Sequence, residues 1–154
     1  MAYLLDTYIL LRLFDRKSPV YRSVEAAVDE LRARGEAIHF APQNAAEFWN
    51  VATRPRDKNG YGLSPAEAEQ LLREAENLFT LLPDTPLLYS RWRSLVLAVQ
   101  VSGMQVHDAR LVAWMKVHGV THVLTLNTDD FTRYVESTGI TVVHPEDLLG
   151  ASPQ

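Results

Sequence analysis

Four short aliphatic runs alternate with segments long enough to be helices, and this rhythm restricts the chain more than any other feature. The runs are Ala2–Leu5, Ala37–Ala41, His122–Thr125 and Thr141–Val143. Each is short, apolar and rich in aliphatic residues, as strands of a parallel sheet are when both faces are covered. The intervening segments carry helix punctuation. Val20–Arg34 stops at Gly35, and Pro42–Thr53 opens on a proline suited to a first turn. Ser64-Pro65-Ala66-Glu67 reads as an N-cap serine, an N1 proline and an acid at N3, opening a helix expected to reach about Leu82. Pro86–Val101 ends before Ser102-Gly103, and His107–His118 ends at Gly119. Strands separated by helices predict an α/β fold with helices on both sides of a central, mainly parallel sheet of four to five strands.

Open α/β sheets place their sites beyond the carboxyl ends of the strands. Asp6 directly follows the first run. It serves either as a cap for the helix begun by Thr7 and Ile9-Leu10-Leu11 or as a carboxylate at the sheet edge. Glu47 lies on the second helix, where Ala45, Phe48, Trp49 and Ala52 make an apolar stripe and Gln43, Asn44, Glu47, Asn50 and Arg54 a polar one. That polar stripe is either an ordinary solvated face or a pocket wall rich in amides. Asp108 is in phase with Leu111, Val112 and Met115, so it is either the N-cap of its helix or a ligand aimed into a cleft. The run ending at Thr125 leads into Leu126-Asn127-Thr128-Asp129-Asp130-Phe131, which is good turn chemistry and also a further acidic position. Crowded carboxylates repel one another and become favourable around a hard divalent cation.

Composition removes several rival chemistries. No cysteine is present, so thiol nucleophiles, disulfides and zinc–thiolate sites are excluded. No serine has a G-x-S-x-G setting, and neither a P-loop nor G-x-G-x-x-G occurs. Histidines 39, 107, 118, 122 and 144 lack H-x-x-x-H zinc spacing. A net charge of −4 is not the global signature of a nucleic-acid binder, although a local basic rim beside an acidic centre remains compatible with one. There is no membrane-length apolar run and no secretory leader pattern, so the expectation is a cytoplasmic protein without membrane partners. Residues 1–149 read as a single domain and 150–154 as a frayed tail. The most loop-like internal stretch, Thr53 to Gly62, follows the Glu47 helix. It carries Arg54, Arg56 and Lys58 as weak candidates for nucleic-acid phosphate contacts, with Tyr61 as a base-stacking candidate; a solvated loop is the plain alternative.

Taken together, LLDTYILLRL, APQNAAEFWNVATRP, VHDARLVAW and HVLTLNTDDF resemble a PIN domain, most closely the toxin ribonucleases of the VapC type. The resemblance spans nearly the whole chain. It implies a three-layer α/β/α fold and a Mg²⁺- or Mn²⁺-dependent endoribonuclease, the toxin of a type II toxin–antitoxin pair, homodimeric and inhibited by a small antitoxin. Carried over residue by residue, it implies Asp6, Glu47, Asp108 and Asp130 as catalytic acids. Asp6 and Asp108 would be the core metal ligands, with Glu47 at a second ion or orienting the attacking water. Thr7, Thr125 and Asn127 would be supporting or substrate-facing groups. Two departures stand out: Tyr8 occupies a place where asparagine is usual, and Asn127 one where many PIN domains have aspartate. They keep two alternatives open: a weak or inactive PIN-like module binding RNA or protein, and an RNA-processing nuclease outside any toxin system.

Overall fold

The computed structural model describes residues 1–150; the expectation of a frayed tail falls on Ala151–Gln154 outside the described residues, while Gly150 caps the final helix. Five parallel strands form one sheet in the order β3-β2-β1-β4-β5. They are β1 (Ala2–Leu5), β2 (Ala37–Phe40), β3 (Thr80–Leu81), β4 (His122–Leu124) and β5 (Thr141–Val143). Nine helices surround them among the described residues: α1 (Thr7–Leu13), α2 (Tyr21–Ala33), α3 (Pro42–Thr53), α4 (Pro65–Leu78), α5 (Leu88–Val99), α6 (Val106–His118), α7 (Asp129–Thr132), α8 (Val135–Thr138) and α9 (Pro145–Leu149).

The sheet sorts the core into two layers because successive strand residues point to opposite faces. Tyr3 and Leu5 of β1 join Phe40, Leu124 and Val143 in one cluster with buried residues of α1 to α4 and α9. Leu4 and Val123 face the other way, into a cluster with Leu95 of α5, six residues of α6, Phe131 and Tyr134. The three-layer α/β/α arrangement follows. Helix ends obey local chemistry: Ser64 accepts from the Glu67 N–H at 3.1 Å while Glu67 accepts from the Ser64 N–H at 3.0 Å. Gly119, at φ 68°, terminates α6 in the left-handed region that glycine enters without a Cβ penalty.

Two expectations are corrected. The helix opened by Ser64 ends at Leu78, not Leu82, and the residues beyond it add an edge strand. Phe79 turns extended and buries its ring, after which Thr80 and Leu81 pair with His39 and Phe40. Leu78 and Leu81 are both exposed, so their helical spacing marks no core stripe. In α3 the buried residues are Asn44, Phe48, Val51 and Ala52. Asn44 therefore belongs to the core side of the helix and not to a polar outer wall.

Candidate active site

The strand order reverses between β1 and β4, since the chain passes from β1 to β2 on one side and later places β4 on the other. Such a switch point leaves a crevice beyond the strand ends. Asp6 stands at its lip. Its backbone N–H donates to the Leu124 carbonyl at 3.0 Å, extending the ladder by one bond. Its side chain is the N-cap of α1: Oδ1 accepts from the Thr7 N–H at 2.9 Å. Oδ2 accepts from the Thr125 hydroxyl at 2.8 Å. Both readings of Asp6, cap and sheet-edge carboxylate, thus describe the same geometry.

Glu47 has a parallel arrangement. The Thr7 hydroxyl donates to Glu47 Oε1 at 2.8 Å and accepts from Asn44 Nδ2 at 3.1 Å. Asn44 Oδ1 in turn accepts from the Ala41 N–H at 2.8 Å. Thr125 is used similarly, because its hydroxyl accepts from the Asn127 N–H at 3.0 Å. With an acceptor lone pair of each hydroxyl engaged by an N–H, each O–H is directed at a carboxylate. Thr7, Asn44 and Thr125 are all buried, and these bonds satisfy them.

Asp108 comes from the opposite layer. Helix α6 begins at Val106, so Asp108 sits inside its first turn and the N-cap reading is set aside. Leu111, Val112 and Met115 are buried as their phase requires, and they fix the roll of the helix that presents Asp108. Asp130 lies in the first turn of α7 after Asn127. Asp6, Glu47, Asp108 and Asp130 all line one cavity of about 300 Å³, together with Thr7, Tyr8, Asn50, Val51, Met104 and Asn127. No lysine or arginine is part of that lining.

Crowding leaves an electrostatic signature. Burial raises the Asp6 carboxyl to about 6, against the pull of its bonds from Thr125 and Thr7, with Glu47 and Asp130 adding to the rise. Asp108 is pushed up to about 7, by burial first and then by Asp130, Asp6 and Glu47. Arg133 offsets only part of the rise at Asp108, and the remaining negative charge is what a cation would balance. The donors are carboxylate oxygens plus the Asn127 amide oxygen, a hard set suited to Mg²⁺ or Mn²⁺. No three His, Asp or Glu groups among the described residues are arranged to enclose an ion by themselves. Mg²⁺ does not need this, because it keeps several waters and uses one or two carboxylates.

Other candidate residues fall outside the cavity. Arg54 donates to the Asn59 carbonyl at 3.0 Å and so closes its own loop. Arg56 and Lys58 lie on an exposed single 3₁₀ turn. The Tyr61 hydroxyl accepts from Arg12 at 2.6 Å, and its ring packs on the core, so it is not held out for stacking. Sequence reasoning missed Asn44 as the buried link between α3 and Thr7. The signal available was an asparagine at the third position of the helix, placed to bond back to the N–H of the residue that precedes it. It also missed Met104, which is 85 % exposed and forms part of the cavity rim.

Among solved structures the fold has counterparts throughout its length. VapBC2 from Rickettsia felis, bound to a DNA fragment from its promoter, has a TM-score of 0.68 at 12 % identity, covering 94 % of this chain and 98 % of that one. A toxin–antitoxin complex from Klebsiella pneumoniae has a TM-score of 0.62 at 24 % identity, covering 93 % and 97 %. VapC20 from Mycobacterium tuberculosis, a sarcin–ricin loop cleaving toxin, has a TM-score of 0.57 at 16 % identity, covering 79 % and 86 %. No curated protein matches the sequence. No helix among the described residues is long and apolar enough to cross a membrane. The family model of the PIN domain matches residues 3–136, most of the sequence, and the chain belongs to that family.

Proposed function

We propose that this PIN domain is a Mg²⁺- or Mn²⁺-dependent endoribonuclease and the toxin of a type II toxin–antitoxin pair. The observation that carries the reading is the meeting of Asp6, Glu47, Asp108 and Asp130 in one cavity at the strand-order reversal. Their residue types fit the donor set that a hard divalent ion takes. The likeness of fold to VapBC complexes and to a sarcin–ricin loop cleaving toxin supports the biological half of the proposal. A homodimer and a small antitoxin partner belong to the same reading.

The roles follow from position. Asp6 and Asp108 offer oxygens from opposite layers of the sandwich and would hold the ion, with Glu47 reaching it through water. When bound, the ion supplies positive charge against the charge growing on the phosphoryl oxygens and makes a nearby water more acidic. Thr125 and Thr7 keep the Asp6 and Glu47 oxygens from rotating away. Glu47, fixed by Thr7, is placed to orient the attacking water. Asp130 and Asn127 are at the rim, where they meet substrate or bound water.

Purified protein freed of any antitoxin should cut single-stranded RNA when Mg²⁺ or Mn²⁺ is added. Asp6→Asn and Asp108→Asn should abolish cutting, and calorimetry should show Mn²⁺ binding weakened in both. Wild-type protein that neither cuts RNA nor binds Mn²⁺ would overturn the proposal. Co-expression with the product of a small neighbouring reading frame should suppress cutting and yield a complex.

A further inference from the structure

A second cavity, of about 400 Å³, abuts the acidic one and takes no part in the chemistry above. It is lined by Asp84, Thr85, Leu88, Tyr89, Trp92, Val106, His107 and Arg110. We propose, resting on the ribonuclease reading, that this cavity binds one nucleobase of the RNA strand whose phosphate lies at the acids, and that Tyr89 and Trp92 are its stacking surface.

Position is the first argument. His107 lines this cavity and Asp108 lines the acidic one, so the two meet at consecutive residues. A second tie joins them. Gln43 Nε2 donates to the His107 carbonyl at 2.8 Å, and Gln43 stands one helical turn before Glu47. The two cavities thus share the first turn of α6 and its tie to α3, the route by which a strand with a phosphate at the acids would bring a base to the second cavity.

Chemistry is the second argument. The Tyr89 and Trp92 rings lie 6.1 Å apart at 36°, with Leu88 and Val106 completing an apolar wall. The Trp92 N–H is engaged by the Val106 carbonyl at 2.8 Å and its indole packs partly on the core, which fixes the ring as a wall of the cavity. Arg110 lines the same cavity and donates to Gln43 Oε1 at 3.1 Å and to Asp84 at 2.9 Å. Two anchors orient the guanidinium and leave N–H donors over from its five. Asp84 adds acceptor oxygens beside it. A flat ring with donors and acceptors along its edge matches these walls. A phosphate would meet the Asp84 carboxylate next to an Arg110 already neutralised. An apolar protein side chain would strip water from the ion pair without replacing its bonds. The volume lies in the range of small-ligand sites, roughly 300–1,000 Å³.

Tyr89 is 65 % exposed, so Tyr89→Ala leaves the core intact. Fluorescence anisotropy in the uncleaving Asp6→Asn background, with Mg²⁺ and a labelled single-stranded RNA, is the test. Tyr89→Ala should weaken binding about tenfold, the scale of one lost base–aromatic stack, and Tyr89→Phe should restore it. Oligonucleotides each lacking one base should reveal a single position where the base matters, and Tyr89→Ala should erase that dependence. Equal binding by the tyrosine and alanine proteins, while the wild type cuts RNA, overturns the base site and leaves the nuclease reading standing. So does a Tyr89→Ala effect on oligomer mass with none on RNA, since the cavity is then a protein contact. A wild type that cuts no RNA overturns the nuclease reading itself.

Discussion

The two sides of the acidic cavity are built differently. On the α1–α3 side every acid has a dedicated hydroxyl: Thr125 for Asp6 and Thr7 for Glu47, each hydroxyl held from behind by an N–H. On the α6–α7 side neither Asp108 nor Asp130 accepts a side-chain hydrogen bond among the described residues, and Asp108 carries the larger upward shift. One side is preorganised before any ligand arrives. The other is oriented by helix packing alone and stores the repulsion. The contrast suggests a division of labour in which α1 and α3 set geometry, while α6 and α7 bring the charge that responds to a cation.

The largest break in this contrast comes from Thr125→Val, which keeps the shape of a fully buried side chain and removes its hydroxyl. The Asn127 N–H and Asp6 Oδ2 then lose their partner. Both bonds are part-buried, so the loss falls toward the lower end of the roughly 1–3 kcal/mol that an unpaired buried group costs. Loss of a supporting contact of this kind lowers metal affinity or cleavage about 10- to 100-fold. Denaturant unfolding and Mn²⁺ titration would read both. An unchanged Mn²⁺ affinity would show that Asp6 needs no holder.

Asp108→Asn should act in the opposite sense on the metal-free protein. It deletes a charge facing Asp130, Asp6 and Glu47 and leaves no hydroxyl stranded. At pH 8 the melting temperature should rise by a few degrees, the shift about 1 kcal/mol gives in a chain of this size. Asp6→Asn should not share this gain. Its new NH₂ faces one of the donors, Thr7 N–H or Thr125 O–H, that held the carboxylate. If both variants gain equally, the two sides of the cavity are equivalent after all.

Acidity sharpens the same point. The Asp6 and Asp108 carboxyls hold their protons more tightly in the folded chain, at about 6 and about 7, than at the ordinary value of 3.8. The folded state therefore binds more protons between those limits, and stability falls as pH rises. Their contribution is full below about pH 4 and is lost as pH climbs through about 6 for Asp6 and about 7 for Asp108. Metal-free protein should lose melting temperature across that window. Asp108→Asn should flatten the upper part of the decline, and saturating Mn²⁺ should remove most of it.

The sequence made this contrast only partly visible. Aliphatic runs and helix caps are local signals, so β1, β2, β4 and β5 and the starts of α3 and α4 were legible from Leu4, Phe40, Pro42 or Ser64 and their near neighbours. Asp6, Asp108 and Asp130 were legible because each follows a strand or opens a helix, and topology gathers such places on one edge; Glu47, in the second turn of α3, showed only through the polar stripe it shares with Gln43 and Asn50. Edge strand β3 was not, since two residues that pair only through His39 and Phe40 have no period to read. The Asn44–Thr7–Glu47 relay was hidden for a related reason: it joins residues 37 and 40 positions apart, and a buried asparagine looks like any other until its partners are seen. The cavity between α5 and α6 depends on how two helices cross, which neither pattern encodes.

The smallest effect belongs to Tyr8, which departs from the family pattern and stands on the preorganised side. Its ring lines the acidic cavity, and the Arg12 guanidinium sits over it at 5.4 Å. Arg12 is also tied to Tyr61 at 2.6 Å and to Asp15 at 3.5 Å. Tyr8→Asn deletes one cation–π contact, worth about 0.5–1 kcal/mol at a partly exposed site, while Arg12 keeps its other partners. The ring also packs against the core, so stability should fall by that amount plus part of the ring's apolar burial, about 1–2 kcal/mol together. The cavity mouth should widen, and cleavage of a structured RNA should rise several-fold while cleavage of a short single strand changes little. Mn²⁺ affinity should stay where it was, because the Tyr8 side chain takes no part in the hydrogen bonds of either threonine relay. A drop in Mn²⁺ affinity would instead make the ring part of the scaffold that holds Asp6 and Glu47 in place, and would extend the preorganised side by one residue.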